Sequence, residues 1–149
     1  MKRVAALVLA VWMLAMSAPS AAALTGLYRA DGITQAGDRY TCAVEIIEPL
    51  KDVPAIEWEC LGAVSSGAAL VDGDWLSGAF LTIGPDDSQL IGLFHYKRKG
   101  SGFEGKWTVP GVKGVGTEVL TLDPKAREKM QELRKQQKRH VPDASERRV

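Results

Sequence analysis

Residues that could carry out catalysis or bind a metal are sparse in this chain. The two histidines, His95 and His140, stand far apart, and no Cys or His cluster with the spacing of a metal site accompanies them. Asp72 and Asp74 form a pair of carboxylates, but they flank a glycine in a strong hairpin signal, where Asp hydrogen-bonds its own backbone. His95 is expected to point out of a strand, away from the interior. The sequence therefore predicts a protein that is not an enzyme and that needs no metal or cofactor.

Cys42 and Cys60, the two cysteines of the chain, are predicted to form a disulfide. Each lies in a segment with alternating apolar and polar residues, Tyr40–Ile46 and Ile56–Cys60, as in half-buried strands. Pairing the cysteines across an antiparallel hairpin places the bulky residues of both segments on one face. The predicted partners are Cys42 with Cys60, Val44 with Trp58, and Ile46 with Ile56. We therefore expect the bond to lie beside the core, to fix the register of the hairpin and to indicate an oxidising compartment.

Aromatic residues occur in most of the predicted strands and are the candidates for ligand binding. Five of them are expected to line the interior of the domain: Tyr28, Tyr40, Trp58, Trp75 and Trp107. Two interpretations remain open, a packed core and a cavity for one small apolar or planar ligand. Because the predicted strands are short, we expect a largely filled interior.

The elements that position these residues are predicted to be β-strands. Between Thr25 and Leu122, short alternating segments follow one another about every 8 to 12 residues, separated by Gly- and Asp-rich turns. Two of the predicted turns are Ser65–Gly67 and Lys97–Ser101. The predicted fold class is all-β: a small antiparallel up-and-down barrel of about eight strands, with the last strand closing against the first. A sandwich is the alternative.

The two ends of the chain differ from the strand-rich middle. Residues 1–23 combine a positively charged start, an apolar run and small residues before a cleavage point, which is typical of a secretory signal peptide. Residues 24–122 are predicted to form the barrel domain. Residues 123–149 open with Asp-Pro, a helix start signal, and are predicted to form a basic helix and a disordered tail. We expect a periplasmic or secreted protein with no membrane span after cleavage of the signal.

The charge of the chain is unevenly distributed. Residues 24–122 hold 8 Lys or Arg against 13 Asp or Glu, a net charge of −5, whereas residues 123–149 hold 9 against 5, a net charge of +4. A basic tail on an acidic body favours a protein or polyanionic macromolecule as partner. Nucleic acid is not expected, because the body is acidic and the protein is predicted to be exported.

Several short motifs follow one another along the chain. They are Gly26-Leu-Tyr28, Tyr40-x-Cys-x-Val-x-Ile46, Ile56-x-Trp58, Val71-Asp-Gly-Asp-Trp75-Leu76, Gly105-Lys-Trp107 and Gly116-Thr-Glu118-x-Leu120. Their order resembles that of small exported bacterial β-barrel proteins, often of unknown function and sometimes labelled fibronectin-binding proteins. The resemblance covers about residues 25–122 and implies a barrel and export, without implying a set of functional residues.

Two fainter resemblances imply other functions. The segment Gly26-Leu-Tyr28 is similar to the Gly-x-Trp of the first strand in lipocalin- and avidin-like barrels, which implies a ligand inside the barrel. The predicted compartment, disulfide and architecture also resemble those of periplasmic lysozyme inhibitors, which insert a loop into an enzyme.

Three functional hypotheses follow from these observations. The first is an exported, non-enzymatic β-barrel binding module that recognises a macromolecule in the cell envelope or outside the cell. The second is a carrier of a small hydrophobic ligand in the barrel interior. The third is a periplasmic enzyme inhibitor. The first two differ in a property that a structure can reveal, namely whether the interior of the barrel is filled.

Overall fold

The computed structural model describes residues 24–50, 53–84 and 86–140, and only the backbone of 137–140. The predicted signal peptide and the predicted disordered tail beyond His140 lie outside the described residues.

Eight antiparallel strands close into one barrel, in which each strand pairs with its neighbours in the chain and the last pairs with the first. The strands are β1 (Gly26–Ile33), β2 (Arg39–Leu50), β3 (Val53–Cys60), β4 (Ala63–Asp72), β5 (Trp75–Ile83), β6 (Gln89–Lys99), β7 (Gly102–Thr108) and β8 (Gly116–Leu122). The predicted all-β up-and-down barrel is confirmed. Pairing between β1 and β8 excludes the alternative of an open sandwich, since it leaves the sheet without an edge.

The hairpin of β2 and β3 has the register predicted from its cysteines. Cys42 pairs with Cys60, Val44 with Trp58, and Ile46 with Ile56. The two cysteine sulfurs are bonded, and the Cα atoms of the pair are 4.3 Å apart. All of these side chains point into the barrel, because residues two apart in a strand share a face.

Two segments predicted as turns belong to strands. Ser65–Gly67 lies within β4, and Lys97–Lys99 continues β6, so that only Gly100 and Ser101 form the turn before β7. In both cases the ladder with the neighbouring strand overrides the local turn preference of Ser, Gly and Lys.

One end of the barrel is filled by large side chains. Tyr28 and Phe103 meet edge to face, with ring centroids 5.9 Å apart, and Ile46 and Leu76 are almost fully buried beside them. The Tyr28 hydroxyl donates a hydrogen bond to the carbonyl oxygen of Leu24 at 2.8 Å, which holds the start of the chain across this end. We call it the closed end. The β1–β2, β3–β4, β5–β6 and β7–β8 connections surround the opposite, open end.

The helix α1 (Ala126–His140) packs on the outside of the barrel. Asp123 caps its start, since its carboxylate accepts a hydrogen bond from the Lys125 N–H at 3.0 Å. Ala126 and Met130 are buried against Ala43. Ion pairs flank this contact, from Arg127 to Glu45 at 2.6 Å and from Arg134 to Glu59 at 2.6 Å. Among the described residues, no helix has the length and apolar character needed to cross a membrane.

Candidate ligand-binding site

The open end of the barrel contains a cavity of about 280 Å³. Its walls are formed mainly by aromatic side chains from five strands, and a carboxylate lies among them. These residues are Tyr40, Trp58, Phe80, Tyr96, Trp107 and Glu118. Because residues alternate in and out along each strand, all six occupy inward positions. The interior is therefore filled at the closed end and open at the other, whereas the sequence favoured a largely filled interior.

The cavity exists because four of its rings lean along the wall of the barrel. Each ring extends over a glycine of a neighbouring strand, in the space that a Cβ would occupy, and so does not project toward the barrel axis. A Cβ built on Gly92, for example, would lie 2.1 Å from Cζ of Phe80, its partner in the β5–β6 ladder. A ring that lies along the wall turns one face toward the lumen. The four pairs are Tyr40 over Gly32, Phe80 over Gly92, Tyr96 over Gly105, and Trp107 over Gly116.

Glu118 is the one buried carboxylate among the described residues, with 3% of its surface exposed. Its Oε1 accepts a hydrogen bond from the Tyr40 hydroxyl at 3.0 Å. Its Oε2 accepts from the Trp58 indole N–H at 3.3 Å and from the Tyr96 hydroxyl at 2.5 Å. Tyr40 in turn accepts a hydrogen bond from the Trp107 indole N–H at 2.8 Å. One acidic side chain thus links four of the aromatic residues that line the cavity.

The hydrogen bonds around Glu118 match an ionised carboxylate. An ionised carboxylate only accepts hydrogen bonds, and all three neighbouring groups donate. Burial raises the pKa of Glu118 above its ordinary value, while the hydrogen bonds from Tyr96, Tyr40 and Trp58 act in the opposite direction. Burial, followed by the nearby charge of Glu118, also raises the pKa of both the Tyr40 and Tyr96 hydroxyls, which keeps them protonated as donors.

The small hydroxyl groups of the cavity wall have hydrogen-bond partners in the protein. Ser65 and Thr82 share a hydrogen bond of 2.7 Å, and the Thr34 hydroxyl accepts one from the Asp38 N–H at 3.1 Å. A molecule entering the open end therefore meets mainly aromatic rings. The arrangement suits the binding of an apolar group.

Three of the five predicted interior aromatics meet in this cavity, namely Tyr40, Trp58 and Trp107. Tyr28 is interior as predicted, but it belongs to the packed closed end. The prediction for Trp75 is wrong: this residue lies on the outer face and is 39% exposed. In the β4–β5 hairpin Trp75 pairs with Asp72, and the alternation of β5 turns its neighbour Leu76 inward instead.

Trp75 belongs to an outer cluster with His95. Their rings are stacked at 4.3 Å between centroids, and Ser77 is 2.6 Å from Nδ1 of His95. The ammonium group of Lys97 lies 5.4 Å from the centre of the Trp75 ring. His95 thus faces outward, as the sequence predicted. This cluster borders a depression of about 1030 Å³ that is lined by residues of β1, β2, β5, β6, β7 and β8, with Tyr40 and Glu118 among them.

Glu118, Phe80 and Tyr96 are residues of the cavity that were not predicted as part of a site. Glu118 carries a signal that the sequence offered: it stands two residues from both Gly116 and Leu120, so alternation places it with them inside the barrel. A charged residue at an inward position is rare without a specific role.

Metal binding has no support in the described part of the chain, where no three His, Cys, Asp or Glu side chains are grouped to hold an ion. Searches against protein-family models, curated proteins and solved structures found no match to this chain. The functional assignment therefore rests on the geometry of the open end.

Proposed function

We propose that this protein binds one small, largely apolar ligand that contains a ring, in the cavity at the open end of the barrel. The observation that carries the proposal is the aromatic lining of a cavity of about 280 Å³ in a barrel that is otherwise packed. An enclosed apolar cavity of about 150 Å³ is enough to bind benzene, and pockets for larger ligands begin near 300 Å³. The volume therefore suits a molecule of one or two rings.

The cavity walls are held in place before any ligand arrives. The rings are supported by the ladder of the closed barrel and by the hydrogen bonds that converge on Glu118. A wall that does not rearrange loses little conformational entropy when the ligand binds. Less of the free energy gained from contact with the rings is therefore offset by ordering of the protein. We propose on the same grounds that the protein acts as a binder and not as an enzyme.

Uptake of a fluorescent apolar probe tests this proposal. Residues 24–149 should bind the probe with a change in intrinsic tryptophan fluorescence, because Trp58 and Trp107 line the cavity. Ala63→Phe should block uptake, since Ala63 borders the cavity. Val64→Phe is the matched control, because the next residue of β4 points outward and is exposed. A folded protein that takes up no probe, or equal uptake by both variants, would refute the proposal.

A macromolecular partner remains a second candidate, favoured by the outer depression. Four cations border it and exceed its exposed carboxylates, Asp31 and Glu104. These cations are Arg39, Lys97, Lys99 and Lys106. Such a surface suits a polyanion, whose binding weakens as salt rises. Heparin binding that is lost in Lys97→Gln with Lys106→Gln, but kept in the loop control Lys113→Gln, would support it, and salt-independent binding would contradict it.

The remaining expectations concern location and the inhibitor hypothesis. We propose an exported protein, and the Cys42–Cys60 disulfide supports this, because isolated disulfides persist in oxidising compartments. Enzyme inhibition stays a prediction that no contact among the described residues tests.

A further inference from the structure

We propose that the ligand of the open end is an organic cation whose charge is shielded by carbon, such as a quaternary ammonium or an N-alkylated ring. This inference rests on the proposed function, since it names the chemical class of the ligand for the same cavity. Two independent features of the cavity carry it, the orientation of its rings and the charge of its buried carboxylate.

The rings offer the cavity their electron-rich faces. Tyr40, Phe80 and Trp107 lie along the wall above glycines, so one face of each is directed to the lumen. The face of an aromatic ring is the negative end of its quadrupole and attracts a cation within about 6 Å of the ring centre. Trp107 is 6.2 Å from Tyr40 and 6.1 Å from Phe80 between ring centres, with planes inclined by 71° and 79°. A cation in the angle between two such inclined planes faces both rings at once.

The carboxylate of Glu118 has no positive partner in the cavity. Its three hydrogen-bond donors, Tyr40, Trp58 and Tyr96, are neutral, and no Lys, Arg or His borders the cavity among the described residues. The inward-facing Arg98 lies at the closed end, over the Phe103 ring. A buried negative charge is costly unless an opposite charge compensates it. A cationic ligand supplies that compensation and a neutral one does not.

The same groups select the type of cation. Three of the roughly four acceptor positions of the Glu118 carboxylate are already occupied by protein donors. A primary ammonium brings three N–H donors and a metal ion brings a tightly held water shell, whereas about one acceptor position of the carboxylate is left for either. A quaternary ammonium has no donor to satisfy, and its diffuse charge suits ring faces.

A pair of nearly isosteric compounds separates this inference from the proposed function. Phenyltrimethylammonium and tert-butylbenzene differ in one atom at the branch point, a positively charged nitrogen against a carbon. Calorimetric titration of residues 24–149 should give at least about tenfold tighter binding of the cation. Equal binding, or a preference for tert-butylbenzene, would overturn the inference and leave the proposed function intact. Binding of neither compound would overturn both.

Removal of one negative charge locates the origin of the preference. In Glu118→Gln the ratio of the two affinities should fall severalfold, to the smaller preference that the ring faces alone supply, while tert-butylbenzene still binds. Glu104→Gln is the matched control, because it removes an equal charge from an exposed outward position of β7 and should keep the ratio. An unchanged ratio in Glu118→Gln overturns the inference.

Lowering the pH of the wild-type protein gives the same information without a substitution. Protonation of Glu118 should reduce the preference for the cation to the part that the ring faces supply. Its other titratable neighbours, Tyr40 and Tyr96, remain neutral throughout because their pKa values are raised. A preference that does not change while Glu118 takes up its proton would contradict the role of its charge.

Discussion

The contact between Phe80 and Gly92 is the most direct test of how the cavity is built. An added Cβ at Gly92 would stand 2.1 Å from Cζ of Phe80 and less than 3 Å from both Cε atoms, so the ring must move into the lumen. Forcing an extra carbon into a packed wall costs about 1–3 kcal/mol. Gly92 does not have a left-handed φ, so alanine fits the backbone and contributes about 0.5–1 kcal/mol in its favour. The net expectation for Gly92→Ala is a loss of about 1–2 kcal/mol and a smaller cavity.

A double-mutant cycle separates the contact between the Phe80 ring and the added methyl group from the other effects of alanine at position 92. In Phe80→Val the side chain no longer reaches across to β6, and Gly92→Ala in that background should stabilise the barrel by about 0.5–1 kcal/mol. Urea unfolding of the four proteins, monitored by circular dichroism, gives the coupling energy, which we expect to be about 2 kcal/mol. Probe uptake should fall in Gly92→Ala alone. An equal loss of stability in both backgrounds would refute the idea that the glycine exists to accommodate the ring.

Three further predictions concern parts of the fold that support the cavity. Cys42→Ser should lower the free energy of unfolding by about 3 kcal/mol, because the bond closes a loop with a sequence separation of 18, and an unchanged urea midpoint would contradict this. Met130→Ala should lower the free energy of unfolding by about 2 kcal/mol, because Met130 is buried against the barrel. Leu133 is 39% exposed, so Leu133→Ala should lower it by less than about 0.5 kcal/mol. Equal losses would show that α1 does not pack on the barrel as described. Because the folded-state pKa of Glu118 is raised, the folded protein holds that proton more strongly than the unfolded chain does. The free energy of unfolding of the wild type, relative to that of Glu118→Gln, should therefore be greatest below a pH of about 4.3. It should decline as the pH rises through the folded-state pKa of Glu118. A difference between the two proteins that does not vary with pH would contradict this.

The architecture of the barrel could be predicted from the sequence because each strand carries an alternating pattern with one consistent solution. The register of Cys42 with Cys60 agrees with the apolar pattern of both strands, and a shift by one residue would have placed Val44 and Trp58 on opposite faces. Local preferences were less reliable where they competed with a ladder. The Ser65–Gly67 segment has the composition of a turn, yet it pairs on both sides within the sheet.

The site was predicted only in part, because alternation states which face a side chain occupies and not which way it leans. Trp75 stands at the first position of its strand, where the composition does not reveal whether a side chain points inward or outward. It was therefore assigned to the wrong face. The space at the open end depends on which residue lies across the ladder from each ring. That information became available only once Phe80 was known to pair with Gly92, and Trp107 with Gly116.

These cross-strand pairs explain why one barrel has two different ends. At the closed end the inward positions carry side chains that meet across the lumen, such as Tyr28 and Phe103. At the open end the rings are as large, but each of the four that lean over a glycine occupies the volume of a missing side chain next to it. Each glycine in a strand carries an intrinsic backbone cost of about 0.5–1 kcal/mol relative to alanine, which the packing of a ring over it must offset. These glycines, together with the carboxylate buried among the rings, are not needed to fill a core, and they produce an aromatic cavity at one end of the barrel. A chain whose interior had only to be filled has no use for this arrangement, and the open end is therefore where the function of the protein should be sought.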